Sequence, residues 1–183
     1  MNPKLIITDV RIGSYNGAQI RLVGKYDDLN RTLSISKLLP YNSSVSLEGK
    51  SEDEQKKIKA LQRHTITVVD SAISFSKWDL HFIEKEHLEA AAAAYYEFRR
   101  GGCLKLGKDV ERIDIDNVLQ TRKLEMSGSV YELNQEDTEN RHIALLVSCW
   151  AAKRALASVA ISTTEKIEIT DDERDDFLVP FSI

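Results

Sequence analysis

The chain has 183 residues, 42% of them hydrophobic and 30% charged, which is enough apolar side chain to fill the core of one domain. Its 25 Lys/Arg against 29 Asp/Glu leave a net charge of −4, which speaks against a strongly basic nucleic-acid binder. The opening MNPKLIITDV has one lysine and a short apolar run broken by Asp9, so it does not read as a secretory signal. The longest apolar run, Ile143–Ala152, is about half of the roughly 20 residues a membrane span needs. A cytoplasmic protein is expected, in a host cytoplasm or a virion if the source is viral.

The charge is uneven. Residues 1–50 hold seven Lys/Arg and four Asp/Glu, residues 151–183 four and seven, so any polyanion contact is expected in the N-terminal half. The two cysteines, Cys103 and Cys149, show no CxxC spacing and read as reduced, buried thiols rather than a disulfide or zinc site.

Residues 4–12 and 19–25 are alternating or β-branched runs flanking Tyr15-Asn16-Gly17. Asn-Gly favours φ > 0 at both turn positions and predicts a tight hairpin. A third run, Thr32–Leu38, extends this to an antiparallel β-meander over residues 4–38. Ser51-Glu52-Asp53-Glu54 is a capping-box pattern opening a surface helix, with acids in its first turn and lysines later to complement the dipole. Thr65–Val69 is a β-branched strand. Apolar parity then slips between Ile73/Phe75 and Trp78/Leu80/Phe82, which predicts a bulge near Ser76-Lys77 with Trp78 in the core.

Glu84–Arg100 predicts a helix ended by Gly101-Gly102. Its five alanines, Ala90–Ala94, allow close backbone approach. The matching surface is Ala151, Ala152, Ala155 and Ala157 of Thr138–Ile161, an uninterrupted helical pattern so apolar that it needs cover on most of its circumference. Leu88, Tyr95, Phe98, Leu146 and Trp150 are expected to fill the flanks. Cys103–Leu106 and Val110–Ile115 around Gly107 predict a second hairpin, Asn117–Met126 a short helix or extended arm, and Glu165–Ile169 a strand. The fold class expected is α+β: an N-terminal antiparallel meander plus Ala-rich helices around a central buried helix, one domain over 1–170 and a C-terminal arm over 171–183.

Helix, small hairpin and helix across Glu84–Met126 resemble the layout of the small head–tail joining protein of lambdoid phages, about a quarter of the chain. The arm runs Asp171-Asp172-Glu173-Arg174-Asp175-Asp176 and then Phe177, Leu178, Val179, Pro180, Phe181, Ser182 and Ile183. Asp-Asp followed by Pro-Phe resembles the acidic tail of bacterial single-stranded-DNA-binding proteins. In that family the tail recruits replication and repair enzymes through its terminal Pro-Phe and carboxylate. Here Ser182 and Ile183 follow Phe181. A docking role is expected for Phe177, Leu178, Val179, Pro180, Phe181 and Ile183, in this chain's own groove or a partner's.

No catalytic motif is visible. Histidines 64, 81, 87 and 142 avoid the i, i+4 spacing of a helical zinc pair. Asp114-x-Asp116 lacks the glycine of a calcium loop. Glycines 13, 17 and 24 are turn residues, since no Lys-Ser/Thr ending follows. Cys103, at the carbonyl-rich end of a helix, is poorly placed for a nucleophile. No metal or other cofactor is implied. The first reading is therefore a non-catalytic interaction or assembly protein, homo-oligomeric, docking through its arm and of viral or mobile-element origin. Its partners would be itself and another protein, with no membrane. A second is a single-stranded nucleic-acid-binding accessory protein using Arg11, Arg21, Lys25, Arg31 and Lys37, with Lys4 beside them and Tyr15, Tyr26 and Tyr41 for stacking. A third is a small enzyme with a dispersed site, for which Asp114 and Asp116 with a metal are candidates.

Overall fold

The computed structural model describes residues 5–40, 51–61, 64–70 and 80–168. Their elements in chain order are β1 (Leu5–Ile12), β2 (Ile20–Asp27), β3 (Thr32–Pro40), α1 (Glu52–Leu61), β4 (Thr65–Val69) and β5 (Leu80–His81). These are followed by α2 (Glu84–Arg100), β6 (Leu104–Leu106), α3 (Lys108–Glu111), β7 (Leu119–Lys123), β8 (Ser129–Leu133) and α4 (Asn140–Glu168).

The α+β class and the N-terminal meander hold. Six strands form one sheet in the order β5-β4-β1-β2-β3-β6, and β7 and β8 form a separate hairpin. β1 pairs antiparallel with β2 and β2 with β3, while β4 runs parallel to β1, β5 to β4 and β6 to β3. Within this sheet, then, β2 alone runs against the others. The carboxyl ends of β5, β4 and β1, three adjacent strands, share one edge.

Alternation sorts the sheet's faces. Ile6, Val10 and Ile12 of β1, Leu22 and Tyr26 of β2, and Leu33 and Ile35 of β3 are all buried. Onto this apolar face lies α4, packed against β1 and β2 most extensively, and α2 packs on α4. The central helix is covered all round over its first turns, as a stretch without a polar stripe requires: every residue from His142 to Ala152 is buried. The alanines do what their size allows. Ala91, Ala92 and Ala94 of α2 and Ala144, Ala151, Ala152 and Ala155 of α4 are at most 4% exposed, flanked by Leu88, Tyr95, Phe98, Leu146 and Trp150. Phe82 meets Trp150 edge-on, and Tyr26 meets Phe98 in the same way.

α2 joins opposite borders of the sheet, starting beside β5 and ending beside β6. A helix of 17 residues is about 25 Å long and six strands span about 24 Å, so its length suits the crossing.

Several local expectations are corrected. The Asn-Gly pair does not make a two-residue hairpin turn. β1 and β2 are joined by residues 13–19, and of that turn only Gly17 is left-handed, at φ 84°. Asn16 is held instead by carbonyls of a distant segment. The hairpin around Gly107 is also absent. β6 leaves its sequence neighbours to pair with β3, and α3 is one helical turn. Gly107 is there for proximity: its N–H donates to the Ile35 carbonyl at 2.8 Å, and a Cβ at this position would sit 1.7 Å from the Ser36 carbonyl oxygen.

Asn117–Met126 is neither helix nor lone arm but contributes β7, paired with β8 and turning at Gly128. The strand expected at Glu165–Ile169 is helix through Glu168, because no Gly or Pro between 140 and 168 stops α4. The capping serine of α1 holds, with Ser51 Oγ accepting the Glu54 N–H at 3.3 Å. The bulge near Ser76-Lys77, Trp78 and the arm 171–183 lie outside the described residues.

Candidate functional site at the carboxyl edge of the sheet

The residues after β1 do not hang free at the sheet edge. Asp70 directly follows β4, and its Oδ2 accepts the Gly13 and Ser14 N–H groups at 2.9 and 2.8 Å. One step on, the Tyr15 N–H donates to Asn140 Oδ1 at 2.9 Å, and the Asn140 carboxamide donates to the Gly17 and Ala18 carbonyls. Asn16 returns the contact from the loop side, donating through Nδ2 to the carbonyls of Gln135, Glu136 and Thr138. Loop 13–18 is thereby bolted between the end of β4 and the start of α4, through two amide side chains and a carboxylate. A fixed backbone of this kind is what a preorganised site needs.

The loop presents Tyr15. Its hydroxyl donates to Glu84 Oε1 at 2.8 Å, at the first residue of α2, while Gln135 Nε2 reaches Glu84 Oε2 at 3.4 Å. Burial first, then the Glu84 hydrogen bond, then the negative charges of Glu84 and Asp70, push the Tyr15 phenol far above its ordinary value. Two carboxylates from different elements thus act on one phenol at the edge where β1, β4 and β5 end. Open parallel sheets bind ligands at this place. A cavity of about 520 Å³ opens from Glu84 between α2 and β8, with Leu88, Leu133 and Tyr131 on its walls and Lys85 and Arg122 at its rim.

Other acids differ in their surroundings. Asp9, 3% exposed in the middle of β1, accepts from Arg11 at 3.0 Å and from Arg21 at 2.8 and 3.0 Å. The hydrogen bond to Asp9 raises the Arg21 pKa. Asp116 accepts from Arg99 at 2.7 Å and from Tyr96 at 2.9 Å; Arg99 first, then Tyr96, hold its carboxyl below the usual value. Burial, then that same bond, push the Tyr96 phenol up to about 12. The Asp114/Asp116 metal reading is therefore replaced: Asp116 is committed to Arg99 and Tyr96, and Asp114 is exposed. Among the described residues, no three His, Cys, Asp or Glu side chains gather as a metal set. Burial pushes the Cys149 thiol up, the state of an inert core cysteine.

The basic residues proposed for nucleic acid do not form one surface. Arg11 is buried and Arg21 half-buried, both facing Asp9, while Lys25, Arg31 and Lys37 are exposed. Tyr26 is 1% exposed in the core, so the tyrosine set for stacking is not presented together either. Tyr41 and the six apolar arm residues lie outside the described residues. Among those described, no helix is long and apolar enough to cross a membrane.

Sequence reasoning missed Asp70, Glu84 and Asn140 as a group. One signal was present: Asp70 closes the β-branched run TITVV, and an acid at the carboxyl end of a buried strand is a site position in such sheets. Glu84 and Asn140 were legible only as helix-start residues.

No protein-family model matches the chain, and no curated protein matches it. Among solved structures it is similar to the large terminase nuclease domain of Thermus phage P74-26, at 14% identity and a TM-score of 0.45, covering 79% of this chain and 78% of that one. It is also similar to the large terminase nuclease of thermophilic phage G20c, at 12% identity and a TM-score of 0.45, covering 79% and 81%. The magnesium-bound form of the G20c nuclease overlaps likewise, at 13% identity and a TM-score of 0.45, covering 83% and 82%. These neighbours are named as nucleases, against the expectation of a non-catalytic assembly protein; the arm expected to dock lies outside the described residues. An overlap this loose transfers no residue role, so the functional argument rests on this chain's own side chains.

Proposed function

We propose that the chain is a small enzyme with a dispersed site, hydrolysing a phosphate ester with a divalent cation, and that its reaction centre is the carboxyl edge formed by Asp70, Tyr15 and Glu84. The observation that carries this reading is the placement of two carboxylates about Tyr15 at this edge: Asp70 Oδ2 accepts the N–H groups of Gly13 and Ser14, just before it, and Glu84 Oε1 accepts its hydroxyl. Magnesium is commonly held by one or two carboxylates, completing its shell with water and substrate phosphate. A two-carboxylate site without a third protein ligand therefore matches a substrate that brings its own phosphate oxygens. A cation held there would polarise a phosphoryl oxygen as a Lewis acid. The protein's part is to hold Asp70 against the loop amides and Glu84 against the Tyr15 hydroxyl, and to offer a cavity beside Glu84. Nucleic acid is the phosphodiester to test first.

The test is cleavage of labelled single- and double-stranded oligonucleotides in magnesium, in manganese and in chelator. Cleavage that needs the metal and falls about 100-fold or more in Glu84→Gln, with the thermal midpoint kept, is expected. No cleavage under any metal, or cleavage untouched by Glu84→Gln, would sink the reading.

A further inference from the structure

Both long helices that frame the carboxyl edge begin with the same unusual device. At α2 the N-cap residue is Ile83, which has no side-chain oxygen to offer, and its own N–H donates to His87 Nδ1 at 2.9 Å. At α4 the N–H of Glu139 donates to His142 Nδ1 at 3.0 Å. In a capping box a Glu or Gln three residues on makes this return contact; here an imidazole makes it, three residues on from Glu139 and four on from Ile83. An Nδ1 that accepts carries no proton, so both rings are neutral with the proton on Nε2.

Protonation reverses the contact. It puts a second N–H against the backbone N–H and adds positive charge at the end of a helix where the dipole is already positive. We infer that His87 and His142 form a paired acid-sensitive latch, whose protonation releases the first turns of α2 and α4 together and with them the loop carrying Tyr15. Glu84 follows Ile83 directly and Asn140 follows Glu139 directly, so the two side chains that hold Tyr15, Asn140 at its N–H and Glu84 at its hydroxyl, each sit beside a latch, while Asp70 holds Gly13 and Ser14 from the end of β4. The inference stands whether or not the proposed enzyme reading does, because its readout is structural.

The groups facing each ring set the direction. His87 lies against the rings of Phe82 and Trp150, with the Glu86 carboxylate 3.8 Å from Nε2 and with Arg154 of α4 and His81 of β5 acting on it. His142 is 4% exposed, with Arg141 and Glu139 beside it and Asp114 acting from the segment after α3. For both, burial is the largest cause and holds the imidazole below its ordinary 6.5. A base held below its unfolded value binds fewer protons when folded. The stability it contributes is complete above about pH 6.5 and is lost as pH falls below that.

The experiment uses the full chain. Nitrogen-resolved NMR at pH 8 is expected to find His87 and His142 in the Nε2–H form; an Nδ1–H form at both overturns the inference. Amide exchange of Ile83 and Glu139, corrected for intrinsic rate, is expected to lose about fivefold in protection across the pH range below about 6.5 in which the NMR signals of the two rings titrate. Equal protection on the two sides of that titration overturns it. His142→Gln keeps a capping side chain that does not titrate, so Glu139 protection should become flat with pH in that variant. The same loss as in the native chain would place the pH effect elsewhere. If that variant does not fold, the two native-chain readings decide.

Discussion

Asp9 illustrates how one charged residue in an apolar strand constrains its neighbours. An ionised carboxylate at 3% exposure is costly unless matched, and β1 and β2 supply two guanidiniums to match it. Removing the acid leaves the cations without their counter-charge, Arg11 with its side chain only 10% exposed. Asp9→Asn is therefore expected to cost about 3 kcal/mol in denaturant unfolding. Replacing Lys25, which is exposed, should change stability by less than about 0.5 kcal/mol. A charge inside a β-run was visible in the sequence, but its partners were not. In the sequence Arg11 and Arg21 group with Lys25 as nucleic-acid contacts, because alternation gives the face of a strand without saying whether that face meets water. The same limit hid Asp70: the residue that follows a strand is legible, while the loop amides it gathers are not.

At the scale of elements, α2 and α4 were the most legible parts of the chain. Long patterns without Gly or Pro leave few alternatives, and a run of alanines opposite other alanines implies close approach. The packing is tight enough to test. Ala92→Leu inserts a branched side chain at a position with no exposure and is expected to cost about 3 kcal/mol, read as a lower thermal midpoint. The same change at Ala93, which is exposed, should be close to neutral. The short elements behaved differently. Gly107 signalled a turn, and the same residue type equally serves close approach, which is its use here. Gly107→Ala must push β6 from β3 and is expected to lower stability by about 3 kcal/mol, while α2 and α4 keep their helical circular dichroism. β8 shows a related device: the Glu89 carboxylate accepts the Tyr131 N–H from α2, occupying a strand position that could otherwise pair with another chain.

For the whole molecule, the pairing of strands distant in sequence decides the architecture. The β1–β2–β3 meander was readable because its partners are neighbours in sequence. The placement of β4 against β1 and of β6 against β3 was not, since periodicity identifies a strand and leaves its partner open. α4 touches the sheet on one side and α2 on the other, so neither layer is complete without it. Unfolding is expected to be a single transition. In a Trp78→Phe background, Trp150 fluorescence and the helical signal should share a midpoint within about 1 °C; two separated midpoints would show independent layers.

The central helix also has a consequence for biosynthesis. It is the last of the described elements to leave a ribosome, yet it covers the apolar face that β1, β2 and β3 complete within the first forty residues. Through most of translation that surface has no permanent lid. A nascent chain in this state is prone to aggregate, and its yield in a cell is expected to depend on chaperones engaging it before the C-terminal third emerges.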